Sequence, residues 1–333
     1  MSKKTQAACR RPDIGGQAVM EGVMMKAPDA IAISVRRPNG DIVTKRKAYV
    51  PLSAKHKWMG WPIVRGVVNF VTMLSMGMST LQDSTDMLGI MDEEPTKFEK
   101  WLAKKLGKGI DKIVMGTAIV LAVILSVGLF FVIPELVARG LKALMPDPAM
   151  NWLINLLSGI VRICILIAYI LFCSTVPDVR RTFEYHGAEH KTVYCNENDL
   201  PLTPENAQQF TTLHPRCGTS FLLIVMVISI LVFSVASSGL LAAVPALEAM
   251  RGTFLFRLLM ICFKLLLLPV VVGITYEINR LVGRYDNWFT AALSAPGLWM
   301  QNFTTNEPDD SMIEVGIAAV QAVLPEEEGA DRW

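Results

Sequence analysis

IVMGTAIVLAVILSVGLFFVI, residues 113–133, carries no charge and stops at Pro134. Its length of about 21 residues, at ~1.5 Å per residue, is enough for one helix across a hydrocarbon core of roughly 30 Å. Three more stretches share this character. Trp152 to Val176 is interrupted by Arg162, Ser220 to Val244 has no charge, and Thr253 to Tyr276 contains Arg257 and Lys264. Across all 333 residues, 52% are hydrophobic and 19% charged, and the mean hydropathy is +0.39. A soluble domain usually carries about a quarter charged residues, and here the deficit is concentrated in these runs. The expected fold class is mainly α, a polytopic membrane protein with about four transmembrane helices. Its partner is then the lipid bilayer. A net charge of +2 gives no basis for a nucleic-acid partner.

The short flanks predict an orientation. Lys104, Lys105, Lys108 and Lys112 precede the first run. Arg180, Arg181, Lys191 and Arg216 lie between the second and third, and Arg280 and Arg284 follow the fourth. The two opposite connections hold only Arg139 and Lys142, and Arg251. The positive-inside rule places both termini and the long middle connection in the cytoplasm. Lys3, Lys4, Arg10 and Arg11 open the chain without a compact apolar core behind them, so no cleavable signal is expected. Arg257 can snorkel from its span's start, whereas Arg162 and Lys264 sit deeper and should face a helix partner, water or substrate. Met59 to Leu81 is apolar but contains Pro62, Arg65 and glycines. A fifth span there would put the termini on opposite sides, so it reads as an interfacial or re-entrant helix.

Four regions follow. Residues 1–58 form a cytoplasmic β element, 59–112 the interfacial helix and an acidic connector at Asp92 to Pro95, 113–276 the four helices, and 277–333 a cytoplasmic interfacial segment with a terminal helix. In the first region, β-branched stretches flank Asn39-Gly40, a strong signal for a two-residue hairpin turn. Gly15 to Gly22 (GGQAVMEG) lacks the Lys-Ser/Thr of a phosphate loop and the spacing of a dinucleotide fingerprint. Its glycines mark backbone packed closely against something. In the last region Trp288, Phe289, Trp299 and Phe303 suit a membrane interface. Ser311 and Glu314 have capping-box spacing, with Met312, Val315, Ala319 and Val323 at helical intervals before the acidic tail.

Chemistry concentrates in residues 177–219. Three of the four histidines fall there: His186, His190 and His214. His186-Gly187-Ala188-Glu189-His190 is an H-x-x-E-H arrangement. On a helix its two imidazoles share a face and can reach one metal ion, with Glu189 placed to take a proton as general base. His214-Pro215-Arg216-Cys217 adds an H-x-x-C pair, with Cys195 and Glu184 in reserve. Of the other cysteines, Cys164, Cys173 and Cys262 lie in apolar runs as packing residues, and with Cys9 they form no disulfide framework. The expected ligands are His186, His190, His214 and Cys217. This donor set favours zinc, and an oxygen-rich variant using Glu184 or Glu189 would take manganese or iron.

Several segments resemble the YqhQ-like family of bacterial membrane proteins, which are of unknown function and described as predicted metal-dependent enzymes. They are Gly15 to Met25, Arg65-Gly66-Val67-Val68, Tyr185 to Lys191, His214 to Ser220, Ala295 to Gln301 and Glu307-Pro308-Asp309-Asp310. The resemblance covers most of the chain and implies a bacterial cytoplasmic membrane. Three functions compete. One is a membrane-embedded metal-dependent hydrolase at the cytoplasmic surface, though the downstream carboxylate that usually completes the motif is not evident. The second is a non-enzymatic scaffold or assembly factor with a structural metal. The third is a transporter using Arg162 and Lys264, without a detectable internal repeat.

Overall fold

The computed structural model describes residues 14–89, 110–147, 150–250, 252–285 and 287–324. The elements are β1 (Gly15–Val19), β2 (Gly22–Lys26), β3 (Ala30–Arg36), β4 (Ile42–Ala48), α1 (Val64–Leu88), α2 (Ile110–Val127), α3 (Ile133–Leu144), α4 (Asn151–Cys173), α5 (Pro177–Glu197), α6 (Pro204–Gln208), α7 (Gly218–Ala243), α8 (Phe254–Arg284), α9 (Trp288–Thr304) and α10 (Asp310–Val323). Short turns at Leu52–Lys55, Lys57–Gly60 and Pro245–Ala249 link some of them. Two compact units result, one from residues 14–89 with 176–324 and the other from 110–175. The acidic connector, Lys104, Lys105, Lys108, Cys9 and the tail beyond 324 lie outside the described residues.

The chain is mainly helical, and four helices among the described residues are long and apolar enough to cross a membrane. They are Gly116–Leu144, Leu156–Cys173, Gly218–Ala243 and Phe254–Val282. The first does not stop at Pro134, as its sequence predicted. A π turn at Gly128–Val132 widens the helix just before the proline. It makes room for a ring that lacks an N–H and would clash with the preceding turn, and the chain continues through α3. Within this unit Ser158 Oγ on α4 donates to Pro134 O at 3.4 Å. Arg162 is half-buried within electrostatic reach of Glu135. Lys264 lies on the exposed surface of α8.

The unit of residues 14–89 and 176–324 carries the sheet, an antiparallel meander in the order β1-β2-β3-β4. Its tight turns fall differently from the sequence expectation. Val19 pairs with Gly22, so the two-residue turn is Met20-Glu21, with Glu21 at φ +47°. Arg36 pairs with Ile42, leaving a five-residue loop around Asn39-Gly40. Arg37 N donates to Asp41 O there, Gly40 N donates to Arg37 O, and Gly40 takes φ +92°. The loop still needs a glycine, but one hydrogen-bonded step further from the strands than a two-residue turn allows.

Both faces of the sheet are covered. Val23, Met25, Ala30 and Ala32 pack with residues of α5 and α10, while Val19, Met24, Ile33 and Val35 pack against Met87 and Leu88 at the end of α1. The period-two alternation of a strand delivers each set to its own face. α10 fills the space between sheet and α5, and Met312, Ile313, Val315, Ala319, Val320 and Val323 are all buried. Each full-sized apolar side chain there contributes about 1.5–3 kcal/mol by leaving water. Its cap is Asp309 rather than Ser311. Asp309 Oδ1 accepts from Met312 N at 2.9 Å and from Ser311 Oγ at 2.6 Å. Glu314 turns instead to Arg36, at 2.7 Å. Asp309 sits on extended backbone, which points its carboxylate at the free N–H groups of the first turn.

Candidate metal centre

α5 places the H-x-x-E-H residues. Pro177 at its first turn needs no N–H partner, and the following residues carry a polar sequence into the core. Tyr185 to Val193 are buried without a break, although a polar helix is ordinarily a solvated one. The reason is that β1, α10 and the segment after α9 surround it. Gly187 makes the last contact possible, because a Cβ there would lie 2.0 Å from Asn306 O.

His186 and His190 stand one turn apart with ring centroids 4.5 Å from each other. His186 Nδ1 donates to Thr304 O at 2.8 Å, and His190 Nδ1 donates to Thr212 O. A neutral imidazole that donates from Nδ1 carries its lone pair on Nε2, the arrangement that orients histidines toward metals. Cys217 caps α7, its Sγ accepting from Thr219 N at 3.4 Å, and lies 3.2 Å from His186 Nε2. One ligand atom from each of His186, His190 and Cys217 falls within 4.8 Å of the other two. Nitrogen and sulfur bound tetrahedrally to one zinc ion would be about 3.5 Å apart. His190 Nε2 is buried without a hydrogen-bond partner, which costs about 1–3 kcal/mol in a site that stays empty.

Glu189 borders this trio, its Oε2 3.4 Å from His190 Nε2. Burial raises the Glu189 carboxyl above the usual range, opposed by His186, His214 and a hydrogen bond from the Gly16 backbone. A Cβ on Gly16 would meet Met24 O at 2.5 Å and Glu189 Cγ at 2.9 Å. The close packing read from the GGQAVMEG glycines is therefore in part packing against Glu189.

His214 lies beside the trio rather than in it. Its ring centroid is 5.5 Å from that of His190, and its Nε2 is 3.6 Å from Glu197 Oε2. Its Nδ1 accepts from Arg216 N at 3.3 Å, which leaves the neutral ring's proton on Nε2. Burial lowers the pKa of both His190 and His214. Gln301, fully buried on α9, brackets the His214 backbone. Its Oε1 accepts from His214 N at 2.7 Å, and its Nε2 donates to His214 O and to Ser220 Oγ, each at 2.8 Å. Lys191 Nζ meets Glu307 Oε2 at 2.8 Å and Gln208 Oε1 at 3.1 Å. Of the reserve residues, Cys195 belongs to the apolar core and donates toward Pro201 O, while Glu184 meets Arg180.

The sequence by itself does not place Gly16, Gln301 or the Thr304 and Thr212 carbonyls at the site. Gly16 and Gln301 lie in segments that stood out for other reasons. Nothing local marks the two carbonyls, because any residue supplies one.

A family model described as "Protein of unknown function (DUF1385)" matches residues 61–326. The uncharacterized protein YqhQ of Bacillus subtilis (strain 168) is 30% identical over 319 residues, covering 94% of this chain and 92% of that one. No solved structure matches. With four-fifths of its length under the family model and a relative aligned nearly end to end, the chain belongs to the DUF1385 family of proteins of unknown function.

Proposed function

We propose that the chain is a membrane-embedded, metal-dependent enzyme, a hydrolase acting at the cytoplasmic surface of a bacterial membrane. The observation that carries this reading is the pair of histidines whose Nδ1–H groups are committed to carbonyls while His186 Nε2 lies 3.2 Å from the Cys217 thiol and one ligand atom from each of the three residues falls within 4.8 Å of the others. His186, His190 and Cys217 would hold the ion, and His214 is the reserve donor beside them. Two imidazoles and a thiolate favour zinc. When bound, such an ion supplies the positive charge that activates water or polarises a substrate oxygen.

The chain's own residues do the rest. Thr304 and Thr212 fix the imidazole orientations through their carbonyls. Glu189, buried and held by Gly16, is placed to accept a proton as general base. Gln301 keeps the His214–Cys217 segment against α9, and the apolar helices mount the site at the membrane. The flanking cations orient that mount with both termini and α5 in the cytoplasm.

Glu189→Gln tests the assignment, with bound metal and in-cell complementation of a deletion strain measured together. Metal retained with function lost is expected. Metal retained with normal function would remove Glu189 as general base. A second reading, a structural metal in a scaffold, is favoured by the burial of all three ligands, and it predicts that second outcome.

A further inference from the structure

α1 is amphipathic in the reverse of the usual sense. As far as Ser84 its buried residues are small or polar, and only its last turn, with Met87 and Leu88, closes on the sheet with apolar side chains. Gly66 lies against Gly273 and Tyr276, Asn69 Nδ2 donates to Tyr276 Oη at 2.8 Å, Gly77 lies against Gln17, and Thr80 accepts from Gln17 Nε2 at 2.7 Å. Its open side is apolar. Val71, Leu74, Met78 and Leu81 recur at intervals of three and four, and Met78 is 64% exposed. A water-facing helix carries the opposite pattern. α1 is not among the four helices fit to span.

Two contacts set its level. Arg65 Nε donates to Glu277 Oε1 at 2.7 Å near the end of α8, and Phe70 stacks obliquely on Phe221 in the first turn of α7, with centroids 5.7 Å apart. The open stripe therefore runs beside the ends of two membrane helices.

The chain leading into α1 adds charge. Residues 42–82 hold Lys45, Arg46, Lys47, Lys55, Lys57 and Arg65 and no Asp or Glu. Lys45 and Lys47 are taken by Asp83 and Arg65 by Glu277. Lys55, His56 and Lys57 are exposed, immediately before Trp58 and Trp61, which are 52% and 64% exposed. Exposed tryptophans next to lysines at the end of an apolar helix suit the headgroup layer of an anionic leaflet. A second protein surface would have to cover an apolar stripe and a cationic turn at once, at the level where lipid is already present.

We infer that α1 and the Lys55–Trp61 turn form a lipid-binding surface, with the α1 stripe on acyl chains and Lys55 and Lys57 on anionic phospholipid headgroups. This does not depend on the metal reading.

The test uses the full chain in nanodiscs made from equal parts phosphatidylcholine and phosphatidylglycerol. A photoreactive benzoylphenylalanine replaces Leu74, Met78 or Trp58 in separate variants, and adducts are weighed by mass spectrometry. Phospholipid adducts are expected at positions 74 and 78. At position 58, phosphatidylglycerol should exceed phosphatidylcholine by about fivefold for each lysine engaged. Lys55→Gln with Lys57→Gln should return that ratio to one. Adducts at 74 and 78 only to protein, including a second copy of this chain, would overturn the lipid surface. A ratio near one before the lysines are replaced would overturn the anionic selectivity.

Discussion

Replacing Gly187 by alanine probes whether the site is built as described, because only the lack of a Cβ there lets α5 meet the strap, residues 305–309, that follows α9. The new Cβ would sit 2.0 Å from Asn306 O and 3.2 Å from Pro308 Cδ. The strap must therefore retreat by more than an ångström. Two hydrogen bonds depend on its position, Asn306 N to Phe183 O at 2.9 Å and His186 Nδ1 to Thr304 O at 2.8 Å. Overpacking costs about 1–3 kcal/mol, and each weakened hydrogen bond costs about 1 kcal/mol. Alanine's better helix propensity returns about 1 kcal/mol, so the net loss is about 3 kcal/mol. For a unit of this size that corresponds to a melting temperature lowered by roughly 6–12 °C. Thermal unfolding of the full chain in detergent, followed by near-ultraviolet circular dichroism, measures it. Metal content should fall in parallel, since His186 loses the carbonyl that orients it. Gly239→Ala is the control. It lies within a helix, and a Cβ there meets nothing within 4 Å, so no loss of stability is expected. A Gly187→Ala protein that melts within a degree or two of the parent and keeps its metal would refute the close approach and the role of the strap.

Gln301→Leu should cost about 3 kcal/mol through three lost buried hydrogen bonds, and should lower metal retention although no ligand is touched. Denaturant melts and elemental analysis check both. Burial holds the pKa of His190 and His214 below the ordinary histidine value. Below about pH 6.5 the unfolded chain therefore takes up protons that the folded one refuses. The chelator-treated protein should keep its full stability above that pH and lose it as the pH falls further, and His190→Gln with His214→Gln should flatten the curve. Burial works against the Asp83 carboxylate, but hydrogen bonds from Lys45 and Lys47 outweigh it and leave the pKa below the usual range. Its contribution should be complete above about pH 4 and be lost at lower pH. Both lysines are more than a third exposed, so Asp83→Asn should cost less than ~1 kcal/mol; a larger loss in a melt would show a deeper role for the α1–β4 tie.

The four apolar helices were legible in the sequence because hydropathy is local and additive. A run either is or is not long enough to cross hydrocarbon, whatever surrounds it. The His186–His190 pair was legible for a similar reason, since helical spacing alone puts both on one face. Helix ends were less so. Pro134 looked like a terminus because its missing N–H is local, but the π turn that accommodates it depends on how the backbone relaxes around it. The cap at Asp309 and the two-residue turn at Met20-Glu21 also depended on competition between neighbouring candidates of similar strength. The convergence of the site was decided only in three dimensions. Cys217 meets His186 across 31 positions, Thr304 O meets His186 across 118, and Gly16 is seated on Glu189. Such contacts arise when a polar helix is enclosed by a sheet and a terminal helix, and no periodicity along the chain encodes which neighbours enclose it. Uncharged runs along the chain determined that it needs a membrane; tertiary packing decided that two histidines and a cysteine share one buried point.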